Sequence, residues 1–162
     1  MTFTAIDFET ATGYRNSACA IAIVTVKNHK IIDEYYSLIK PPNNYYWWQN
    51  IDVHGITPED TESAPLFCEI FPELKKRLKK QLLVAHNESF DRSVLVRTME
   101  HYKLNYNELL LPDRWDCTLQ IYRSKGFQPA SLDACCNKLG IDLEHHHALS
   151  DARACAKLYM LK

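Results

Sequence analysis

The sequence predicts an α/β fold, in which helices pack on both faces of a mixed β-sheet. Two observations favour this fold. Three strand-like segments lie together at the start of the chain, and helical and strand-like segments alternate after them. The chain has 162 residues, a length typical of one domain. We therefore expect residues 1–162 to form a single domain.

The first half of the chain contains runs of apolar and β-branched residues that predict strands. The tripeptide "NHK" separates the second run from the third and is typical of a hairpin turn. After "PPNN" the pattern changes, and apolar and charged residues then alternate at helical spacing. The expected order is strands over 2–9, 18–28 and 30–40, an irregular loop or short helix over 45–60, and a helix over 64–80.

The second half of the chain predicts two short strands and four helices. Asn87 is expected to be the N-cap of the first of these helices, and Gly140 is expected to end the third. The expected order is a buried strand over 82–86, a helix over 87–103, a fifth strand over 113–119 that runs into a helix over 118–125, a helix over 131–139, and a last helix from near Ala148 to the C-terminus.

Composition narrows the class of protein. The formal net charge is −1, so there is no global basic surface and nucleic-acid binding would have to be local and assisted by metal ions. Six cysteines form no CxxC pair, which favours a reduced, cytoplasmic compartment. The N-terminus lacks the pattern of a signal peptide. No apolar run approaches the ~20 residues of a membrane span, so we expect no membrane partner.

Two acidic residues interrupt the first apolar strand. Asp7 and Glu9 are two residues apart and therefore point to the same face of a strand. Their charges repel each other, and burial would increase the cost. A divalent cation removes both problems, and carboxylate oxygens suit Mg²⁺ or Mn²⁺. The alternative is a strand end at which both acids are solvated.

Two further acids fall in the first turns of predicted helices, Asp91 after "VAHNESF" and Asp151 after "HHHALS". Each could simply interact with its helix N-terminus. However, apolar stripes follow both residues, and helices packed on the sheet through these stripes would hold each acid near a strand end. Four acids could then converge on two metal ions.

The histidine run "HHH" precedes Asp151. On one continuous helix His146 and Asp151 would lie on different faces, so we expect His146 on the preceding loop, where a neutral imidazole could take a proton from water. His147 is the local alternative, because it would share the face of Asp151 if the helix began earlier. A zinc-dependent hydrolase is a further alternative, but three adjacent histidines cannot easily converge on one tetrahedral ion.

In this order, the motifs "DFET", "HNESFD" and "HHALSD" resemble those of the DEDDh 3′–5′ exonucleases. The sequence is similar to the epsilon-like exonucleases of bacterial DNA polymerase III and to ribonuclease T, over nearly the whole chain. The resemblance implies a ribonuclease H-like fold with a five-stranded mixed sheet flanked by helices. It also implies that a DNA polymerase or an additional domain could be a partner.

The resemblance assigns metal binding to Asp7, Glu9, Asp91 and Asp151, and the general base to His146. It implies two divalent cations, Mg²⁺ or Mn²⁺, roughly 3.5–4 Å apart. The implied substrate is the 3′ end of single-stranded nucleic acid, with DNA favoured and RNA possible, and the implied products are nucleoside 5′-monophosphates. A catalytically silent nucleic-acid-binding or polymerase-associated domain of the same fold is the alternative.

The resemblance also implies a set of substrate contacts. Gln49 stands where relatives often have Glu against the terminal sugar, and Glu88 adds an acid that would disfavour a nearby phosphate. The implied contact residues are Thr10, Gln49, His54, Ile56, Asn87 and Phe90.

Three other features have both a functional and a structural interpretation. The aromatic run "YYWW" at 45–48 could stack bases or pack a loop onto the core. The basic run "KKRLKK" at 75–80 could bind phosphates, although a solvated helix face is the stronger interpretation. Asp116 could be a fifth acid of the site, but a cap or a support for the sheet is favoured.

Overall fold

The computed structural model describes all residues from Met1 to Lys162. Its centre is one five-stranded sheet with the strand order β3-β2-β1-β4-β5. The strands β1, β2 and β3 pair antiparallel, and β4 and β5 are parallel to β1, which confirms the predicted mixed sheet. The strands are β1 (Thr2–Thr10), β2 (Ala18–Lys27), β3 (Lys30–Leu38), β4 (Leu83–Ala85) and β5 (Asp116–Cys117).

Seven helices surround the sheet, and every helix that the sequence predicts is present. The aromatic segment after β3 forms two short helices, the first of which ends at Gly55 in a left-handed conformation. The helices are α1 (Trp48–His54), α2 (Pro58–Thr61), α3 (Phe67–Leu78), α4 (Glu88–His101), α5 (Thr118–Ser124), α6 (Leu132–Leu139) and α7 (Ala148–Met160).

Asn87 differs from the prediction in one respect. It occupies the N-cap position of α4, but its side chain makes no capping hydrogen bond. Its backbone is left-handed, with φ at +69°, whereas a capping residue usually has an extended backbone. Its Oδ1 atom instead accepts a hydrogen bond from the hydroxyl of Ser89 at 3.3 Å. The start of the helix is therefore confirmed, whereas the helix ends at His101 rather than at 103 and the capping interaction is absent.

The two faces of the sheet carry separate apolar cores. Because side chains of a strand alternate, Ile6 and Phe8 of β1 pack on one face with α3 and α4. Phe3 and Ala5 pack on the other face with α7. Burial of these side chains fixes which residues of β1 face each layer, and therefore fixes the layer toward which Asp7 and Glu9 point.

The last helix approaches the sheet closely through small residues. Ala152, Cys155 and Ala156 are at most 1% exposed and pack against the apolar residues of β1 and β2. At the far end of the helix, the rings of Phe3 and Tyr159 meet edge to face with centroids 4.6 Å apart. Close packing along its length holds the first turn of α7 near the end of β1.

The basic run at 75–80 is a solvated helix face, as the favoured interpretation predicted. Lys75 contacts Glu108 at 2.6 Å, and the guanidinium of Arg77 contacts Asp33 at 2.8 Å. Ion pairs with neighbouring carboxylates engage these two cations, whereas Lys79 and Lys80 follow the end of α3 and are exposed.

The aromatic run at 45–48 has mixed exposure. Trp47 packs against Gly13 and meets the ring of Tyr14 edge to face, and the Tyr46 hydroxyl is 2.8 Å from that of Thr61. Trp48 is 67% exposed. Half of the run therefore packs the loop onto the domain, as the structural interpretation expected.

All six cysteines are free, and four of them are buried. Cys135 and Cys136 both pack in the small core between α5, α6 and α7. None of the helices combines the length and the apolar character needed to cross a membrane.

Candidate active site

The candidate active site lies where β1 extends beyond its parallel neighbour. β4 ends at Ala85, so the last residues of β1 have only β2 as a paired strand. Asp7 and Glu9 occupy this extension and share one face of β1, as predicted from strand alternation. Glu9 is 8% exposed and the Oδ2 atom of Asp7 is buried, so a solvated strand end is the wrong interpretation of this pair.

Asp91 occupies the strand edge that β4 leaves open. Even-numbered residues of β1 direct their backbone N–H groups toward β4, and Thr4 donates to the carbonyl of Leu82 at 2.9 Å. Beyond the end of β4, the N–H of Phe8 donates instead to Oδ1 of Asp91 at 2.9 Å. Asp91 lies in the first turn of α4 and is 2% exposed. One of its two carboxylate oxygens is therefore engaged by the backbone.

Asp151 completes a cluster of three carboxylates. It lies in the first turn of α7, and its oxygens lie within 4.8 Å of ligand atoms of Asp7 and Glu9. Its Oδ2 atom accepts a hydrogen bond from the backbone N–H of His146 at 3.1 Å. The structure thus brings three of the four predicted metal-binding acids together and places Asp91 close enough for its charge to act on Asp7.

Burial and mutual repulsion raise the pKa of every acid here. Burial raises the pKa of Asp7 well above its ordinary value, and the charges of Asp91, Glu9 and Asp151 raise it further. Burial, followed by the charges of Asp151 and Asp91, raises the pKa of Glu9 to about 8. Burial also raises the pKa of Asp91, against its backbone hydrogen bonds, and that of Asp151, against the opposing effect of His145.

The cluster fits divalent cations. The Oδ2 atom of Asp7 is buried and has no hydrogen-bond partner, which costs free energy unless another group satisfies it. All the donors are carboxylate oxygens, which Mg²⁺ and Mn²⁺ prefer. A cation would bind the unpaired Oδ2 atom of Asp7 and remove the repulsion among the carboxylates that raises their pKa values.

His146 lies on the loop before α7, as predicted. Its backbone is left-handed, with φ at +65°, and its side chain lines the same cavity as the acids. His147 is the N-cap residue of α7 and stacks on Tyr36 of β3. Burial lowers the pKa of His146, so its ring is neutral near pH 7 and able to accept a proton. The alternative arrangement, with His147 on the helix beside Asp151, is absent.

His145 is a neighbour that the sequence did not single out. Its ring stacks on that of His146 with centroids 3.7 Å apart, and its Nδ1 atom is 3.4 Å from Oδ2 of Asp151. The three histidines do not converge, because His147 turns away to Tyr36. The other two histidines, His145 and His146, converge with Asp151, and the three side chains offer ligand atoms within 4.8 Å of one another.

A cavity of about 1020 Å³ opens over the carboxylates. This volume is at the upper end of the range typical of small-molecule sites. Five of the six predicted substrate contacts line it: Thr10, Gln49, His54, Asn87 and Phe90. Ile56 is absent from the lining, and its contact with substrate stays a prediction. The chain turns at Gly55, and the side chain of Ile56 packs against the core below α7.

His54 lines the cavity, but both of its ring nitrogens bind backbone groups. Nδ1 accepts from the N–H of Ile56 at 3.0 Å, so the proton is on Nε2, which donates to the carbonyl of Thr10 at 2.9 Å. Asn50 donates to the same carbonyl at 2.9 Å. These bonds attach α1 to the end of β1. His54 therefore presents its ring, rather than a free nitrogen, to the cavity.

The cavity residues that sequence reasoning missed include Arg15, His86 and Arg123. The guanidinium of Arg15 lies over the ring of Phe90, 4.5 Å from its centroid. His86 binds the Thr118 hydroxyl through Nδ1, and its Nε2 atom is buried without a partner. Burial lowers the pKa of His86 to about 4. The motif "HNESFD" contains His86 and could have identified it, whereas no local pattern marks the two arginines.

Two acids that the sequence placed near the site do not line the cavity. Glu88 pairs with Arg92 at 2.8 Å, so the expected repulsion of a nearby phosphate is reduced. Asp116 accepts a hydrogen bond from the hydroxyl of Tyr159 and lies 3.8 Å from the Lys162 ammonium. It therefore joins β5 to α7 and supports the sheet, as the favoured interpretation expected.

Solved structures of exonucleases have a similar fold. Exonuclease X in complex with 5′ overhanging duplex DNA is 26% identical, with a TM-score of 0.74, over 98% of this chain and 89% of that one. The nuclease domain of 3′hExo, a DEDDh family member bound to rAMP, is 21% identical, with a TM-score of 0.74, over 99% and 90% of the two chains. The architecture is the ribonuclease H-like fold of the exonucleases, which confirms the predicted fold class.

The chain belongs to the RNase_T exonuclease family, whose family model matches residues 4–159. DNA polymerase III PolC-type from Thermotoga petrophila is 30% identical over 164 residues, which cover 98% of this chain and 12% of the relative. DNA polymerase III subunit epsilon from Pasteurella multocida is 30% identical over 150 residues, which cover 88% of this chain and 58% of the relative. The chain thus spans about an eighth of the PolC-type relative and less than two thirds of the epsilon subunit. Membership of this family implies divalent metal ions, and the carboxylate cluster has ligand atoms that could hold one.

Proposed function

We propose that residues 1–162 act as one metal-dependent 3′–5′ exonuclease domain that removes nucleoside 5′-monophosphates from single-stranded 3′ ends. The observation that carries the proposal is the cluster of Asp7, Glu9 and Asp151, with ligand atoms within 4.8 Å of one another, beside a neutral His146. Family membership supports the same activity.

Four acids would hold the metal ions. Asp7, Glu9 and Asp151 offer oxygens into one cluster, and Asp91 has one oxygen that Phe8 does not engage. Two divalent cations held there, Mg²⁺ or Mn²⁺, would stabilise the charge that develops on the scissile phosphate and favour ionisation of the attacking water.

His146 is the proposed general base. Its ring lines the cavity, and its backbone N–H is fixed by Asp151 at 3.1 Å. It takes the proton from the attacking water as the water oxygen bonds to phosphorus. The bond from phosphorus to the 3′ oxygen of the penultimate nucleotide then breaks, and the terminal nucleotide leaves as a 5′-monophosphate.

The remaining cavity residues would hold the terminal nucleotide. Thr10, Gln49, Asn87 and Phe90 line the cavity, and the ring of His54 is fixed beside them by its two backbone hydrogen bonds. Arg15 is added to this set, because its guanidinium lies over an aromatic ring and retains N–H donors for a phosphate. We place the 3′-terminal base near Phe90.

The partner and the compartment belong to the proposal as well. The two relatives described above are named as a DNA polymerase and as a polymerase subunit, which supports a DNA polymerase or an additional domain as a partner. The six free cysteines support a reducing, cytoplasmic compartment.

The test is digestion of matched single-stranded DNA and RNA labelled at the 5′ end, with Mg²⁺, with Mn²⁺ or with chelator. We expect a ladder that shortens from the 3′ end, release of 5′-monophosphates, no reaction in chelator, and little attack on closed circles. Asp7→Asn is the inactive control. Binding without hydrolysis in the parent protein would support the catalytically silent alternative, and rapid cutting of circles would exclude an exonuclease.

A further inference from the structure

We propose that His145, His146 and Asp151 form an inhibitory zinc site beside the carboxylate cluster. Each of the three side chains offers one ligand atom, and these atoms lie within 4.8 Å of one another. The inhibitory consequence rests on the proposed exonuclease function, whereas zinc binding itself does not.

The backbone of His146 brings the two histidines together. In an extended chain, adjacent side chains point in opposite directions. His146 is left-handed, with φ at +65°, and the two rings stack on the same side, 3.7 Å apart and 23° from parallel. This conformation is uncommon for a residue with a side chain. It places two imidazole groups within reach of one carboxylate.

The distance between His145 and Asp151 suits two ligands of one ion. The Nδ1 atom of His145 is 3.4 Å from Oδ2 and 3.5 Å from Oδ1 of Asp151. These distances are long for a charge-assisted hydrogen bond, which is usually about 2.7–2.9 Å. Tetrahedral zinc with bonds of about 2.0–2.1 Å separates its ligand atoms by roughly 3.3 Å. Two imidazoles, one carboxylate and one water make a four-coordinate set that zinc accepts.

The ligand chemistry distinguishes this site from the neighbouring one. Asp7, Glu9 and Asp151 offer only oxygens, which suit Mg²⁺ and Mn²⁺, whereas imidazole nitrogen suits zinc. Asp151 belongs to both sets. Zinc bound to His146 and Asp151 would occupy the nitrogen of the proposed base and withdraw one carboxylate from the catalytic cluster. Zinc would therefore inhibit even in the presence of excess Mg²⁺.

His147 provides a matched control. It is the next residue in the chain and has the same side chain, but it stacks on Tyr36 and is outside the zinc set. The side chain of His145 is 35% exposed on a loop outside the core, so His145→Ala and His145→Gln are expected to fold. Circular dichroism of both variants checks this.

The first experiment measures binding without reference to activity. Zn²⁺ is titrated by calorimetry, and Co²⁺ by visible absorption, into the full chain and its variants. We expect the intense bands of four-coordinate Co²⁺ in the parent, in His147→Ala and in Asp7→Asn, and their loss in His145→Ala and His145→Gln. Zinc affinity should fall at least tenfold in the two His145 variants. Equal affinities in the parent and these variants would overturn the site.

The second experiment measures zinc inhibition of hydrolysis in Mg²⁺, with each variant compared with its own zinc-free rate. The zinc concentration for half inhibition should rise at least tenfold in His145→Ala and change less than twofold in His147→Ala. If His145→Ala stays as sensitive as the parent, zinc inhibits through the carboxylates and this proposal is wrong. If the parent shows no hydrolysis at all, the proposed function fails, while the binding experiment still decides the zinc site.

Discussion

The imidazole of His147 stacks on the ring of Tyr36, with centroids 5.2 Å apart and planes 24° from parallel. This contact turns His147 toward β3, while His146 lines the cavity. We therefore predict that His146→Ala lowers the single-turnover rate by about 10²–10⁴-fold, the usual contribution of a general base. His147→Ala should stay within a few-fold of the parent.

The affinity for Mn²⁺ distinguishes the proposed role of His146 as general base from a purely structural role. His146 is not one of the carboxylates proposed to bind the catalytic ions, so Mn²⁺ affinity should largely survive in His146→Ala. Its rate should recover in part when the pH is raised, because hydroxide then replaces the function of the missing base. Equal losses in the two histidine variants would assign the base elsewhere.

The pKa of Glu9, raised by burial to about 8, predicts how the stability of the metal-free protein depends on pH. A carboxyl group with a raised pKa in the folded state favours the protonated form, so its stabilising effect is fully present below about pH 4.5. This effect is lost as the pH rises toward 8. In chelator, the melting temperature should therefore fall between pH 5 and pH 8.

Divalent metal ions should restore the stability that the metal-free protein loses as the pH rises. At pH 8, Mn²⁺ should raise the melting temperature of the parent, because a cation removes the repulsion among the ionised acids. Asp7→Asn should show a shallower fall with pH in chelator and a smaller response to Mn²⁺. Melting curves with the same pH profile in chelator and in Mn²⁺ would show that the acids do not form a metal site.

The position of Arg15 predicts how the affinity for single-stranded nucleic acid depends on salt concentration. Its guanidinium lies over the Phe90 ring at the cavity and is available to one phosphate of the substrate strand. In an inactive Asp7→Asn background, Arg15→Ala should weaken binding of a single-stranded oligonucleotide. The slope of log affinity against log salt should become shallower by about 0.7, the value expected for one phosphate contact on a single strand.

Arg153 is the matched control for this measurement. It lies on α7 and pairs with Glu34 at 2.6 Å, away from the cavity. Arg153→Ala should leave the salt slope unchanged. An unchanged slope in Arg15→Ala as well would mean that the guanidinium packs on Phe90 without contacting the strand.

Most of the fold is predictable from the sequence, because the residues that face each core recur at the spacing of a strand or of a helix. Alternation in β1 separates Ile6 and Phe8, which pack in one core, from Asp7 and Glu9, which face the opposite layer. The helices α1 and α2 are less defined by the sequence, because they have only seven and four residues and no apolar side chain of either is buried. Their positions depend on contacts distant in sequence, such as the bond from Asn50 to Thr10.

The site was predictable only where residue type alone carries the chemistry. Carboxylates in an apolar strand indicate a cation, but nothing local shows that His54 uses both nitrogens on backbone groups. Ile56, which follows the left-handed Gly55, packs partly buried against one core of the sheet. Arg15 reaches Phe90 across 74 intervening positions, a contact that only the folded chain creates.

The backbone hydrogen bond from Phe8 to Asp91, at 2.9 Å, sets Asp91 apart from the other acids. From the sequence all four acids look alike, as metal ligands whose removal relieves repulsion. In the structure, Asp91 also satisfies a buried N–H at the strand edge beyond β4, whereas the Oδ2 atom of Asp7 satisfies no donor. Removal of Asp91 should therefore destabilise the fold in a way that removal of the Asp7 carboxylate does not.

We predict that Asp91→Ala melts about 2–12 °C below Asp91→Asn. Alanine leaves the N–H of Phe8 buried without an acceptor, at a cost of about 1–3 kcal/mol, and each kcal/mol shifts the melting temperature of a domain of this size by about 2–4 °C. Asparagine retains an oxygen that can accept this bond. Both variants should lose most of the hydrolytic activity, because neither provides a negative charge for the metal ions.

Differential scanning calorimetry in chelator tests the predicted difference in melting temperature. Single-turnover hydrolysis in Mn²⁺ tests the predicted loss of activity. Equal melting temperatures for Asp91→Ala and Asp91→Asn would show that the bond to Phe8 contributes nothing, and full activity in Asp91→Asn would remove Asp91 from the metal ligands.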